Sequence, residues 1–168
     1  MEFAKSEQTE ALIEFTLAGM AGEAAPAILA RIVAAARVAK TAQNTMKTFG
    51  VSKEWVKADG TLRWPTNDGF EGLATLRQLK PGEIVDRFGS PEQGQFMSPI
   101  GTSFEARALP PTSIDRTYYQ YKVLKPLPVQ EGKVASWFDQ PGGGTQYKVD
   151  DDFDIQQLID DGYLEEVK

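Results

Sequence analysis

The chain contains no cysteine and no histidine. Without cysteine there is no disulfide framework, no Cys-ligated zinc or iron–sulfur centre and no thiol nucleophile. Without histidine the usual general base near neutral pH is missing, and with it Ser-His triads and His-based metal sites. Catalysis, if any, rests on carboxylates, Arg, Lys, Tyr, Ser, amides and backbone dipoles. Cysteine-free chains survive in reducing and oxidising compartments alike, so the redox environment stays open. The opening Met1, Glu2 and Phe3 lack the basic region of a secretory leader.

Basic charge is also in short supply, with 18 Lys and Arg against 24 Asp and Glu over 168 residues, a formal net charge of −6. The excess is local: residues 150–168 hold 1 basic and 8 acidic groups, whereas residues 65–149 hold 9 of each. Nucleic acid is therefore not expected as a partner, because phosphate backbones need clustered Lys and Arg. A small anion held by one or two arginines remains compatible with this balance. The composition, 41% hydrophobic and 10% aromatic, suffices for an ordinary core in one domain with an appendage.

Residues 1–47 read as helix. Eleven alanines fall between Ala18 and Ala42, and alanine is the best helix former. Ile28, Leu29, Ile32, Val33 and Ala36 make one apolar stripe. Pro26 fits a first turn rather than an interior, which divides the segment into two helices. Glu23, Arg31 and Arg37 interrupt the apolar stretch, at a cost of roughly 2.5–3.5 kcal/mol per charge at membrane depth. A small-residue hairpin that packs on something is the expected form, with membrane or chaperone docking as the functional alternative.

These patterns divide the chain into a helical segment over 1–50, an irregular lead-in over 51–69 and a β-rich domain over 70–168. In the last of these, a turn followed by a short strand is expected within Leu79–Gly89, and further strands at Gln95–Ser98 and Tyr118–Leu124, with Val134–Phe138 and Gln146–Val149 flanking a glycine run. Phe104–Ala108 reads as one helical turn and Asp154–Asp161 as a short helix. The class is α+β. The acidic run Asp150, Asp151, Asp152 and Asp154 lacks the Gly and Glu of a calcium loop and reads as a solvated helix N-terminus.

Three features bear on chemistry. Gly142-Gly143-Gly144 is more glycine than a hairpin needs, so either the turn is merely flexible or something approaches its backbone closely. It is neither a P-loop nor a dinucleotide fingerprint. Arg87 and Arg107 each neighbour an aromatic residue, a setting for bidentate phosphate contact or for ordinary ion pairs. Tyr119 and Tyr121 share one strand face and Tyr118 takes the other.

Four strings in order bring the parts together: Asp86-Arg87-Phe88-Gly89 with Phe96-Met97-Ser98-Pro99-Ile100-Gly101-Thr102-Ser103-Phe104, then Arg107-Ala108-Leu109-Pro110-Pro111, then Tyr121-Lys122-Val123-Leu124-Lys125-Pro126-Leu127-Pro128-Val129, then Gln140-Pro141-Gly142-Gly143-Gly144-Thr145-Gln146. In this spacing residues 70–168 resemble the tuberculosis necrotizing toxin family, NAD glycohydrolase domains at the C-termini of secreted bacterial toxins, with fungal relatives. The resemblance implies a small domain related to ADP-ribosyltransferase-like folds that cleaves the nicotinamide–ribose bond of NAD, and possibly of NADP, with neither metal nor cofactor. It further implies delivery into a target cell and a cognate immunity protein. Carried onto this chain, Arg87 matches the substrate-binding arginine and Gln146 the glutamine after the glycines. Phe96 matches an aromatic at the nicotinamide end and Arg107 a second arginine, while Phe88, Ser98, Gly143 and Gly144 complete the NAD-contacting set. Tyr119 occupies the position of the family's histidine, so a catalytically impaired NAD-binding homologue and a protein ADP-ribosyltransferase stand as alternatives. Of these, hydrolysis is favoured, since nicotinamide leaves as a neutral base and needs no proton.

Overall fold

A computed structural model describes residues 25–167. The expected first helix before Pro26, and the charge at Glu23, lie outside the described residues. Helix α1 spans Ala25–Phe49, with Pro26 in its first turn, where the missing N–H breaks no intrahelical bond. No helix among the described residues is long and apolar enough to cross a membrane.

Seven strands follow: β1 Thr75–Leu79, β2 Ile84–Phe88, β3 Phe96–Pro99, β4 Tyr118–Val123, β5 Leu127–Lys133, β6 Thr145–Lys148 and β7 Leu164–Glu166. They form one sheet in the order β1-β5-β6-β3-β2-β4-β7, antiparallel at each pairing. One expectation needs correction, and the short C-terminal helix is found where expected. The strand before the glycine run is Leu127–Lys133, whereas Val134–Phe138 contributes only isolated bridges and bends at Phe138, φ 51°. The short helix α2 is Ile155–Asp160, capped by Asp154, whose carboxylate accepts from the Gln157 N–H.

One face of the sheet buries the main core: Leu79, Val85, Met97, Tyr121, Val123, Leu127, Val129 and Tyr147, with Ile155 and Leu158 of α2. Burying a side chain of this size contributes about 1.5–3 kcal/mol, which makes the sheet–helix contact the chief source of stability. A second, smaller core gathers Val51, Val56, Leu62 and Phe138, with Ala42, Met46 and Phe49 of α1 and both Trp55 and Trp137 packed against it. Residues 51–69 are irregular in backbone, mostly exposed, and anchored to this core through Val51, Trp55, Val56 and Leu62. Asp139 accepts from the indole of Trp55 at 3.0 Å, and the Trp137 indole donates to the Arg63 carbonyl at 2.9 Å. The C-terminal half of α1 is tied on by Thr45, which donates to the Gly60 carbonyl at 2.7 Å.

Candidate active site

The two cores meet along a cleft. One half, about 300 Å³, is walled by Trp64, Pro65, Val134, Ala135, Trp137 and Phe138. The other, about 280 Å³, is walled by Asp86, Arg87, Phe88, Gly94, Met97, Ser98 and Arg116. Trp64, Phe96, Arg107, Leu109 and Gln146 line both, so the halves adjoin. An apolar, aromatic end thus runs into a cationic end.

Strand β2 supplies Asp86, Arg87 and Phe88 to the cationic end, Asp86 and Phe88 from one face of the strand and Arg87 from the other. Asp86 is fully buried and Arg107, from the turn Glu105–Arg107, is nearly so. They form an ion pair at 2.5 Å, and Arg107 also donates to the Thr102 carbonyl at 2.8 and 3.0 Å. The second oxygen of Asp86 accepts from the Tyr118 hydroxyl at 2.6 Å. Phe88 lies beneath the Arg107 guanidinium, 5.3 Å from its centroid, and packs edge-on against Phe104. Arg107 is thereby neutralised and immobilised, and its charge is committed to holding Asp86.

Arg87 is arranged differently. Its guanidinium donates to the carbonyls of Gly89, 3.1 Å, and Phe96, 3.4 Å, and among the described residues no carboxylate lies within 4 Å of it. Burial, followed by the neighbouring Arg116, pushes it below the ordinary arginine value, which still leaves it cationic in water. Gly94 makes this placement feasible: a β-carbon there would sit 1.5 Å from Arg87 Nη1. The result is a half-buried cation facing a cleft with its charge unanswered.

Gln146, at the start of β6, donates its amide to the Asp68 carbonyl at 2.9 Å. That bond fixes the amide's orientation and leaves Oε1 as the free acceptor. Asp68 is itself pinned by the buried Lys148 at 3.1 Å and belongs to a run of three left-handed residues, Asn67, Asp68 and Gly69. Strained backbone of this kind persists only where surrounding bonds over-determine it. Salt bridges to Asp151 and Asp68 also push the Lys148 ammonium up from its ordinary value. Asp151 is thus an ion-pair partner within an acidic run that is otherwise as expected, exposed to solvent and leading into the helix capped by Asp154.

Of the residues expected from sequence, Arg87, Phe88, Phe96, Ser98, Arg107 and Gln146 line the cleft. Tyr119 lines neither half. It pairs with Arg87 across β2 and β4, but its ring stacks on Tyr121 at 6.1 Å and packs against the main core. Gly143 and Gly144 also stand apart from the lining. The close approach expected at the glycines is real, yet it comes from the chain itself: a β-carbon on Gly144 would meet the Ala106 carbonyl at 2.7 Å. The three glycine N–H groups donate to Glu105, Val134 and Ala106 in turn. They join the loop bearing Gln146 to the turn bearing Arg107.

Cleft residues that the sequence does not single out include Trp64, Asp68, Asp86, Gly94, Arg116 and Trp137. Trp64 is half exposed at the mouth, and a tryptophan amid Pro65 and Asn67 was the one available signal. Asp86 stood beside Arg87 in the quoted string, but nothing in sequence separates the buried carboxylate from a surface one.

The tuberculosis necrotizing toxin family matches residues 78–167. Over 123 residues the chain is 38% identical to the conidial surface nicotinamide adenine dinucleotide glycohydrolase of Aspergillus fumigatus, covering 65% of this chain and 51% of that protein. The chain thus spans about half the length of this curated relative. Among solved structures it resembles tuberculosis necrotizing toxin complexed with its immunity factor, at 25% identity and a TM-score of 0.55, over 66% of this chain and 65% of the other.

Proposed function

Since the chain belongs to the tuberculosis necrotizing toxin family, we propose that it hydrolyses NAD to nicotinamide and ADP-ribose, with the cleft as the active site. The observation that carries this reading is that Arg87 and Gln146 share one cavity with the exposed ring of Phe96. The glycohydrolase name of the fungal relative supports the substrate.

The nicotinamide ring enters the aromatic end, between Trp64, Phe96 and Trp137, and the phosphates face Arg87. The bond from ribose C1′ to the pyridinium nitrogen breaks, its electron pair going to the ring, which departs neutral. A water oxygen bonds to C1′ from the other side and sheds its proton to solvent. The transition state carries positive charge on the ribose, as in other glycoside cleavages. Gln146 Oε1, an acceptor already oriented by Asp68, stabilises that charge or holds the attacking water. No histidine is required, because no leaving group needs protonating.

The role is that of a toxin domain delivered into a target cell and restrained by an immunity protein, which the complex of the related toxin supports. The test is nicotinamide release from NAD by purified protein. Wild type turns over, Arg87→Ala raises KM at least tenfold, and Gln146→Ala lowers kcat by 10²-fold or more, of the order seen for a lost polar contact to a transition state. Unaltered turnover in both variants removes these residues from the mechanism.

A further inference from the structure

Three arginines line the cationic half of the cleft, and only Arg107 has its charge met, by Asp86. Among the described residues neither Arg87 nor Arg116 has a carboxylate within 4 Å. Asp68, the other acid of the cleft, is paired with Lys148. Two unanswered positive charges therefore remain on one wall.

Their placement is specific. A methyl group added at Gly89 would lie 3.6 Å from Arg116 Nη1 and 3.9 Å from Arg87 Nη2, so both guanidinium groups converge on one point. Backbone bonds hold both stems there: the Arg116 N–H donates to Ser113 and the Gly89 N–H to Thr117. Like charges held this close repel, and Arg116 is among the groups pushing Arg87 down. A pyrophosphate diester carries one negative charge on each of two linked phosphates and answers each cation with its own phosphate, whereas a mononucleotide brings all its charge on one phosphate group.

We propose that Arg116 is a substrate-selecting residue that pairs with Arg87 to recognise a pyrophosphate, so that the cleft takes dinucleotides in preference to mononucleotides. Arg87, bonded to the Phe96 carbonyl, takes the phosphate on the nicotinamide side, and the more exposed Arg116 takes the phosphate on the adenosine side. This rests on the NAD-hydrolase reading of the same cleft, yet it makes a separate claim about binding.

The test measures ADP-ribose and AMP binding by calorimetry, and nicotinamide release from NAD and from nicotinamide mononucleotide, for wild type, Arg116→Gln and Arg116→Lys. In Arg116→Gln, ADP-ribose binding weakens about tenfold and KM for NAD rises by a similar factor, with kcat within twofold and an unchanged melting temperature. AMP, whose one phosphate is the adenosine-side one, weakens alongside ADP-ribose, kcat/KM for nicotinamide mononucleotide stays within twofold, and Arg116→Lys recovers part of the loss. Wild type binding ADP-ribose no tighter than AMP overturns the inference, as does an equal loss on both substrates in Arg116→Gln. If wild type releases no nicotinamide while the ADP-ribose effect persists, hydrolysis is refuted and pyrophosphate recognition stands.

Discussion

At the scale of single residues, the cleft depends on two side chains with opposite duties. Arg107 and Asp86 are both withdrawn from water and satisfy one another, so deleting either partner strands the other as a buried charge. Asp86→Asn or Arg107→Met is expected to cost about 3–5 kcal/mol, measurable by urea unfolding; a loss under 1 kcal/mol places the pair in solvent instead. Arg87, in contrast, is held by carbonyls alone and owes its seat to the missing side chain at Gly94. Gly94→Ala forces the flexible guanidinium aside and leaves the backbone intact. Affinity for ADP-ribose then falls about tenfold, or 1.4 kcal/mol, with little change in unfolding midpoint. Calorimetry showing full affinity in that variant separates Gly94 from the site.

Among the elements, β4 carries an unusual member. Tyr121 is wholly buried in the main core and its hydroxyl has no hydrogen-bond partner. An unpaired buried hydroxyl is destabilising, so Tyr121→Phe raises stability by about 1 kcal/mol. Burial also pushes this phenol up to about 12 from an ordinary 10. Between those values the unfolded chain releases the proton and the folded chain keeps it, so stability falls as pH rises from 10 to 12. Urea midpoints at pH 8 and pH 11 show a larger alkaline drop in wild type than in Tyr121→Phe; equal drops assign the decline elsewhere. The same strand shows what was legible in sequence. Tyr118–Val123 announces itself by its run of aromatic and branched residues, and the turn at Arg107 by Phe104 and Pro110. Strand β1 does not, because Leu79 is its one buried residue and Leu76 is 87% exposed, so an edge strand shows no alternation to read. In β5 the buried Leu127 and Val129 were masked by Pro128 and Gly132, residues that argue against a strand. The candidate site was legible where cleft-lining residues sit inside continuous strings, as Arg87 and Gln146 do. Asp68 and Lys148 were not, since a bond between positions eighty residues apart leaves no trace in either neighbourhood.

Taken whole, the molecule places its cleft at the seam between a sheet core and a tryptophan-rich second core, so residues that read as a lead-in furnish a wall of the site. No titrating imidazole exists anywhere in the chain, and the carboxylates of the cleft are paired with cations. Nicotinamide release is therefore expected to vary less than twofold in kcat/KM from pH 6 to pH 9; a bell with limbs inside that range assigns the chemistry to a titrating acid or base. The triple-glycine bend sets a further boundary. Each of its amide hydrogens already answers to a carbonyl of the chain itself, so it has nothing to offer an oxyanion. Acyl transfer therefore finds no oxyanion hole in this bend, and the proposed reaction calls for none, since its departing ring brings its own positive charge. Purine nucleosides, whose base must first collect a proton, are expected to survive incubation that consumes NAD; free base in the mixture assigns an acid to the cleft.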